Sequence, residues 1–174
     1  MWRAWPVAID VAVRFGDGDW PDCQSHLLYR ERIVPVATPD YISRTKTITC
    51  PVDLVDHTLL HALSLDRSWY DWYQWFEHFG VQPGGPLAGP TFDNHLLMMQ
   101  AALSGRGVAL GWIGTASDCL RQGQLTAVLK DPIILDTGLY AVVRNTRDKR
   151  IESFLKWITA LAAAETEIVN GSFL

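Results

Sequence analysis

The sequence lacks the features by which disulfide-bonded and membrane-spanning proteins are usually recognised. Its only cysteines, Cys23, Cys50 and Cys119, are widely spaced and form no C-x-x-C pair. An odd, scattered set of this kind favours reduced thiols in a cytoplasmic protein. No apolar run reaches the length of a membrane span, and the first ten residues lack the apolar core of a signal peptide. We therefore expect no membrane association.

Positive charge is also scarce. The chain of 174 residues carries 15 Lys and Arg against 19 Asp and Glu, for a formal net charge of −4. Because phosphate backbones are bound by basic surfaces and no basic run is present, we do not expect this chain to bind nucleic acid directly. The hydrophobic fraction of 48% is ordinary for a globular protein of one large domain or two small lobes.

Patterns typical of enzymes, metal sites and cofactor sites are missing as well. His57 and His61 are four residues apart but straddle a predicted helix-to-strand junction, so one metal-binding face is not expected. The segment Ser104–Gly107 matches neither a nucleophile elbow nor a dinucleotide loop, because its glycines follow a helix and precede a strand. Asp17-Gly18-Asp19 lacks the remaining ligands of a calcium loop and is interpreted as a turn. The sequence predicts no enzyme, metal or cofactor.

What is present is an alternation of strand and helix patterns, which predicts an α/β fold with mainly parallel strands. Trp69, Trp72, Tyr73 and Phe76 follow helical spacing and predict one buried aromatic face, with the tryptophans in the core. A last helix is predicted over 151–164 with one apolar face that includes Phe154. Strands are predicted at 7–15, 27–30, 33–37, 58–63, 108–110, 125–129 and 138–144, and further helices at 39–43, 51–57, 69–79, 96–103 and 116–122.

The stretch 89–112 predicts a binding feature. Asp93 or Asn94 can cap a helix over 96–103, Gly105 ends it, and 108–110 return as a buried strand. Backbone N–H groups at such a helix start favour an anion. No nucleophile with an adjacent base is present, so the stretch is predicted to hold a ligand without reacting with it.

Several sequence blocks resemble the effector-binding domain of LysR-type transcriptional regulators, and look most like the branch of glycine-cleavage and β-lactamase activators. The resemblance covers about residues 9–163. Its blocks are DVAVRFGDGDWP (10–21), the frame ending in PVATPDY (28–41), DLVDHTLLH (53–61), WYDWYQWF (69–76), GPTFDN (89–94), AALSGRGVALG (101–111) and FLKWI (154–158).

The resemblance implies a type 2 periplasmic-binding-protein-like fold, in which two α/β lobes joined by a hinge hold a small ligand between them. Lobe I would comprise 1–53 and 140–174, and lobe II 54–139. The winged helix-turn-helix through which such regulators bind DNA has no counterpart in the sequence, nor have the first strand and helix of lobe I. Lobe I is therefore expected to be incomplete.

Effector contacts follow from the resemblance by position only. The implied ligand is a small anionic or amino-acid-like effector, and the implied assembly is a homodimer. The alternative is a fragment that senses nothing and acts by dimerising with intact regulators. The expected effector-binding residues are Arg14, Phe15, His61, Asp93, Asn94, Trp112 and Tyr140.

Overall fold

The computed structural model describes residues 9–63, 70–144 and 148–172, with side chains up to residue 164. Strands and helices alternate along these residues, which confirms the α/β class. The strands are β1 (Val11–Gly16), β2 (Gln24–Ala37), β3 (Leu59–Ala62), β4 (Thr91–Phe92), β5 (Val108–Trp112), β6 (Thr126–Ala127) and β7 (Ile133–Val143). The helices are α1 (Pro39–Arg44), a 3₁₀ helix (Pro51–Asp56), α2 (Trp72–His78), α3 (His95–Leu103), α4 (Ile113–Arg121) and α5 (Lys149–Ser172).

The chain forms two compact units. Of the described residues, 9–31 and 134–171 belong to unit 1, and Arg32–Ile133 forms unit 2. The divisions fall inside β2 and β7, earlier than the positions near 53 and 139 that the resemblance implies. β2 is one continuous strand where the sequence predicts two, so the first boundary between the units lies within a strand and not in a loop.

Unit 1 is a sheet covered by α5. β1 pairs antiparallel with β7, and the strand order is β1-β7-β2. Ile151 and Leu155 of α5 pack with Ala141 and Val143 of β7. The prediction that Phe154 lies on this buried face is wrong, since its side chain is 37% exposed. Ile151 and Leu155, four residues apart, form the buried side of the helix. Phe154 lies at the edge of that side and is turned towards solvent.

Unit 2 contains a mixed sheet. β2 pairs antiparallel with β5 and β6, whereas β3 pairs parallel with β4 and β5. With β1 and β7 also antiparallel, the expectation of mainly parallel pairing is wrong. The physical reason is that the alternation of strands and helices along a chain does not determine whether neighbouring strands in the sheet run parallel or antiparallel.

The aromatic helix α2 forms much of the core of unit 2. Trp72, Trp75 and Phe76 are at most 1% exposed, and the Trp72 indole N–H donates to the Leu60 carbonyl at 3.0 Å. This confirms the prediction that these tryptophans belong to the core. Tyr73, however, is 52% exposed, so the prediction that it lies on the buried face is wrong. Trp69 and the predicted start of the first strand at residue 7 lie outside the described residues.

Candidate functional site

In unit 1, Arg14 and Tyr140 are brought together by strand register. Arg14 on β1 lies directly opposite Tyr140 on β7. Side chains of directly opposed residues on antiparallel strands share one face of the sheet. Phe15, the next residue along β1, points to the other face and is 44% exposed. The structure therefore groups two of the three residues expected in this unit and separates the third.

Trp20 completes this group, although the sequence analysis does not single it out. The Arg14 guanidinium carbon lies 4.8 Å from the centroid of the Trp20 ring. The Trp20 and Tyr140 rings meet edge to face at 5.5 Å. The sequence contains one signal for this contact, since Gly16 and Gly18 precede Trp20 at alternate positions. Residues without side chains there leave room for the indole ring to pack against the strand.

The turn between β1 and Trp20 covers Tyr140. Gly18 has φ +92°, and a Cβ atom there would lie 2.8 Å from Tyr140 Cε1. The Tyr140 hydroxyl donates to the Asp17 carbonyl at 3.3 Å, and Asp17 Oδ1 accepts from the Asp19 N–H at 3.0 Å. The Asp17–Asp19 segment is therefore a side-chain-stabilised turn, and it leaves Tyr140 only 8% exposed.

In unit 2, a second set of expected residues gathers where β3 ends. The backbone N–H of His61 donates to the Pro90 carbonyl at 3.0 Å, and that of Leu63 donates to the Phe92 carbonyl at 2.7 Å. These bonds hold β4 parallel to β3. Since Asp93 and Asn94 follow β4 directly, both lie beside the end of β3 that carries His61.

Asn94 is the residue that caps α3. Its Oδ1 atom accepts a hydrogen bond from the Leu97 N–H at 3.0 Å, and α3 begins at His95. Asp93 is exposed and does not make this bond, which settles the choice of cap that the sequence leaves open. The first turn of α3 consequently presents the positive end of its helix dipole beside Asn94.

The histidines of this region are kept neutral. Burial lowers the pKa of His61, and the Asp71 carboxylate offsets part of that change. Burial also lowers the pKa of His95, partly offset by its hydrogen bond with the Leu110 carbonyl. Near pH 7 both imidazoles are therefore mostly uncharged, and the helix terminus contributes positive potential beside Asn94.

Trp112 has a different environment. It is the last residue of β5, is 7% exposed, and its carbonyl accepts from the Thr115 hydroxyl at 3.1 Å. These contacts tie the end of β5 to the first turn of α4.

Across the part of the chain that the structure describes, no group of His, Cys, Asp and Glu side chains is placed to hold a metal ion. Within those same ranges, no helix is long and apolar enough to cross a membrane.

Comparison with known proteins identifies what the chain resembles. The family model described as the LysR substrate binding domain matches residues 8–163. The glycine cleavage system transcriptional activator of Escherichia coli K12 is 34% identical over 163 residues, covering 91% of this chain and 52% of the relative. The transcriptional activator AmpR of Rhodobacter capsulatus is 31% identical, covering 89% and 51%. The chain thus spans about half the length of these curated relatives.

Solved structures agree on the fold. The effector domain of AmpR from Pseudomonas aeruginosa is similar with a TM-score of 0.66 at 25% identity, covering 91% of this chain and 75% of that domain. The AmpR effector binding domain from Citrobacter freundii has a TM-score of 0.67 at 23% identity, covering 90% and 76%. These neighbours have the periplasmic-binding-protein-like fold, which confirms that prediction. The relatives are regulators of transcription and not enzymes, as expected.

Proposed function

We propose, because the chain belongs to the LysR substrate-binding domain family, that it senses a small anionic or amino-acid-like effector on behalf of a transcriptional regulator. Regulators of this family bind small-molecule effectors and act as oligomers. In the proposed setting this chain works in the cytoplasm as a homodimer. DNA is bound by another region of the regulator, in keeping with the net charge of −4.

The observation that carries the ligand class is the arrangement at the start of α3. Asn94 caps the helix beside the end of β3, and the neighbouring histidines are uncharged. A ligand carboxylate placed there would gain about 0.3–1 kcal/mol from the helix dipole. The Asn94 side-chain NH₂ group would donate to the ligand, because Oδ1 already accepts from Leu97. His61 would flank the ligand carboxylate, whereas Asp93 would lie beside a separate ammonium group of an amino-acid-like effector.

The remaining expected contacts have distinct proposed roles. In unit 1, Arg14 would pair with an acidic ligand group, and Tyr140 would orient that group. In unit 2, Trp112 would supply apolar surface. Phe15 lies on the opposite face of the sheet from Arg14, so its contact with an effector stays a prediction. Effector binding would control the regulator by favouring one conformation of the domain, which requires different affinities for the two conformations.

The test is a ligand screen of the purified chain by thermal unfolding, with amino acids, purines and muropeptide fragments as probes. A sensor domain is stabilised by its effector according to ligand concentration and affinity. We expect one class to raise the melting temperature, and Asn94→Ala and Tyr140→Ala to abolish the rise. Absence of any shift, together with co-purification of the chain with an intact regulator, would instead support a non-sensing dimerisation fragment.

A further inference from the structure

Trp20 lies in the segment between β1 and β2 and contacts two expected effector residues at once. Its ring centroid is 4.8 Å from the Arg14 guanidinium carbon and 5.5 Å from the Tyr140 ring centroid. The indole is partly buried, and the Tyr140 ring stands at 75° to it. One side chain therefore sets the surroundings of both the cation and the phenol on this face of unit 1.

The backbone around Trp20 is shaped to allow these contacts. A Cβ atom at Gly16 would lie 2.8 Å from Trp20 Cζ2, closer than carbon atoms approach without displacement. The Trp20 carbonyl accepts from the Cys23 N–H at 3.3 Å, which closes the turn on its far side. The segment that carries Trp20 is thus fixed at both ends, which places its ring against the sheet.

A stacked guanidinium has a defined direction of recognition. Arginine loses much rotamer freedom when it is ordered, and stacking on an indole restricts that freedom before a ligand arrives. When a guanidinium contacts an aromatic ring through its planar face, its N–H groups lie in that plane and match the two oxygens of a carboxylate. An arginine ordered in this way therefore favours a carboxylate, which has two negatively charged oxygens, over a neutral amide, which has one oxygen acceptor.

We propose that Trp20 is a positioning residue for carboxylate recognition in unit 1, acting through Arg14. The proposal rests on the proposed function in that the carboxylate belongs to the effector. It goes beyond that function by naming a residue that determines specificity and the ligand group that it selects. Trp20 acts by pre-orienting the Arg14 guanidinium, while the Tyr140 ring keeps the indole in place.

The experiment titrates the ¹⁵N-labelled full chain with sodium acetate and with acetamide at constant ionic strength, followed by NMR. The Trp20 indole N–H signal is identified by its loss in Trp20→Phe, and binding is fitted from the Gly18 amide in every variant. We expect a saturable acetate response and none to acetamide. Trp20→Leu should weaken acetate binding about fivefold, whereas Trp20→Phe should retain it within about twofold.

Two further variants make the result specific. Trp157→Leu removes an exposed tryptophan on α5 of the same unit and should leave acetate binding unchanged. Arg14→Lys keeps the charge but not the planar stack, and should weaken acetate binding about fivefold. If Trp20→Leu does not fold, the acetate affinity of Arg14→Lys is compared with that of the wild-type chain to test the proposal.

The proposal would be overturned if Trp20→Leu bound acetate as tightly as the wild-type chain does. It would also be overturned if Arg14→Lys did so. A wild-type chain without a saturable, carboxylate-specific response at Trp20 and Gly18 would do the same. Failure of the sensor function has a different signature. In that case the ligand screen gives no thermal shift, while acetate still binds at Arg14 and Trp20.

Discussion

A Cβ atom at Gly89 would lie 1.7 Å from the carbonyl oxygen of Leu59. The backbones come this close because the segment before β4 runs along β3, with the Leu59 N–H donating to the Ala88 carbonyl at 2.8 Å. Gly89 also has φ +151°, a conformation that residues with side chains rarely adopt. The path that carries the chain towards Asn94 therefore requires glycine.

Gly89→Ala is predicted to destabilise unit 2. The added methyl group must displace either β3 or the segment leading to β4, at a cost of at least about 2 kcal/mol. The measurement is the free energy of unfolding in urea. Gly84→Ala is the matched control, because a Cβ atom at Gly84 meets nothing within 4 Å. Similar losses in both variants would show that the close approach to Leu59 is not the cause.

Substitutions at Asn94 should separate its capping role from its proposed ligand contact. Asn94→Ala removes the acceptor for the Leu97 N–H and is expected to cost about 1 kcal/mol. Asn94→Asp keeps the capping oxygen and adds a negative charge that is favourable at a helix start, so stability should be retained. It replaces the NH₂ donor by a carboxylate oxygen, and an anionic effector should no longer raise the melting temperature. Full retention of that rise in Asn94→Asp would refute the contact.

Tyr140→Phe should loosen the turn over unit 1. The variant keeps the ring against Trp20 but loses the hydrogen bond to the Asp17 carbonyl, a loss of about 1 kcal/mol in unfolding free energy. Tyr73→Phe is the control, since Tyr73 is 52% exposed and should be insensitive. Amide hydrogen exchange in the Gly16–Asp19 segment should quicken in Tyr140→Phe only. Unchanged exchange there would mean that the hydroxyl does not secure the turn.

Acidification should destabilise the chain through His57. This residue is 5% exposed, its Nδ1 atom lies 3.5 Å from the Tyr41 hydroxyl, and burial lowers its pKa below the usual 6.5 despite the opposing effect of Asp56. The unfolded chain therefore binds the proton first. Stability is fully present above pH 6.5 and falls as the pH drops through 6.5 towards the folded pKa. His61 and His95 act in the same direction.

The measurement compares urea unfolding at about pH 7.5 and about pH 5.5 in the wild-type chain and in His57→Gln. Glutamine approximates the size and polarity of neutral imidazole but does not titrate. The wild-type chain should lose more stability on acidification than the variant does. An equal loss in both would assign the acid sensitivity to other groups.

Local features were predictable from the sequence because their interactions span few residues. The cap at Asn94 is bonded to Leu97, three residues away, and the end of α3 near Gly105 is made by a bond to Ala102. The α/β class follows from periodicity, and the family from motif blocks along most of the chain. Each of these needs only residues that are neighbours in sequence or a pattern repeated along it.

Other features were decided only by the tertiary structure. Trp20 contacts both Arg14 and Tyr140 because Tyr140, 120 positions later in the chain, lies opposite Arg14. The directions of β2 and β5, and the exposure of Phe154, depend likewise on which surfaces meet in the folded chain. The sequence by itself determined most of the elements, the start of α3 at Asp93 or Asn94, and the family. Register and packing determined which side chains share a face, because those depend on contacts between distant residues that no local pattern encodes.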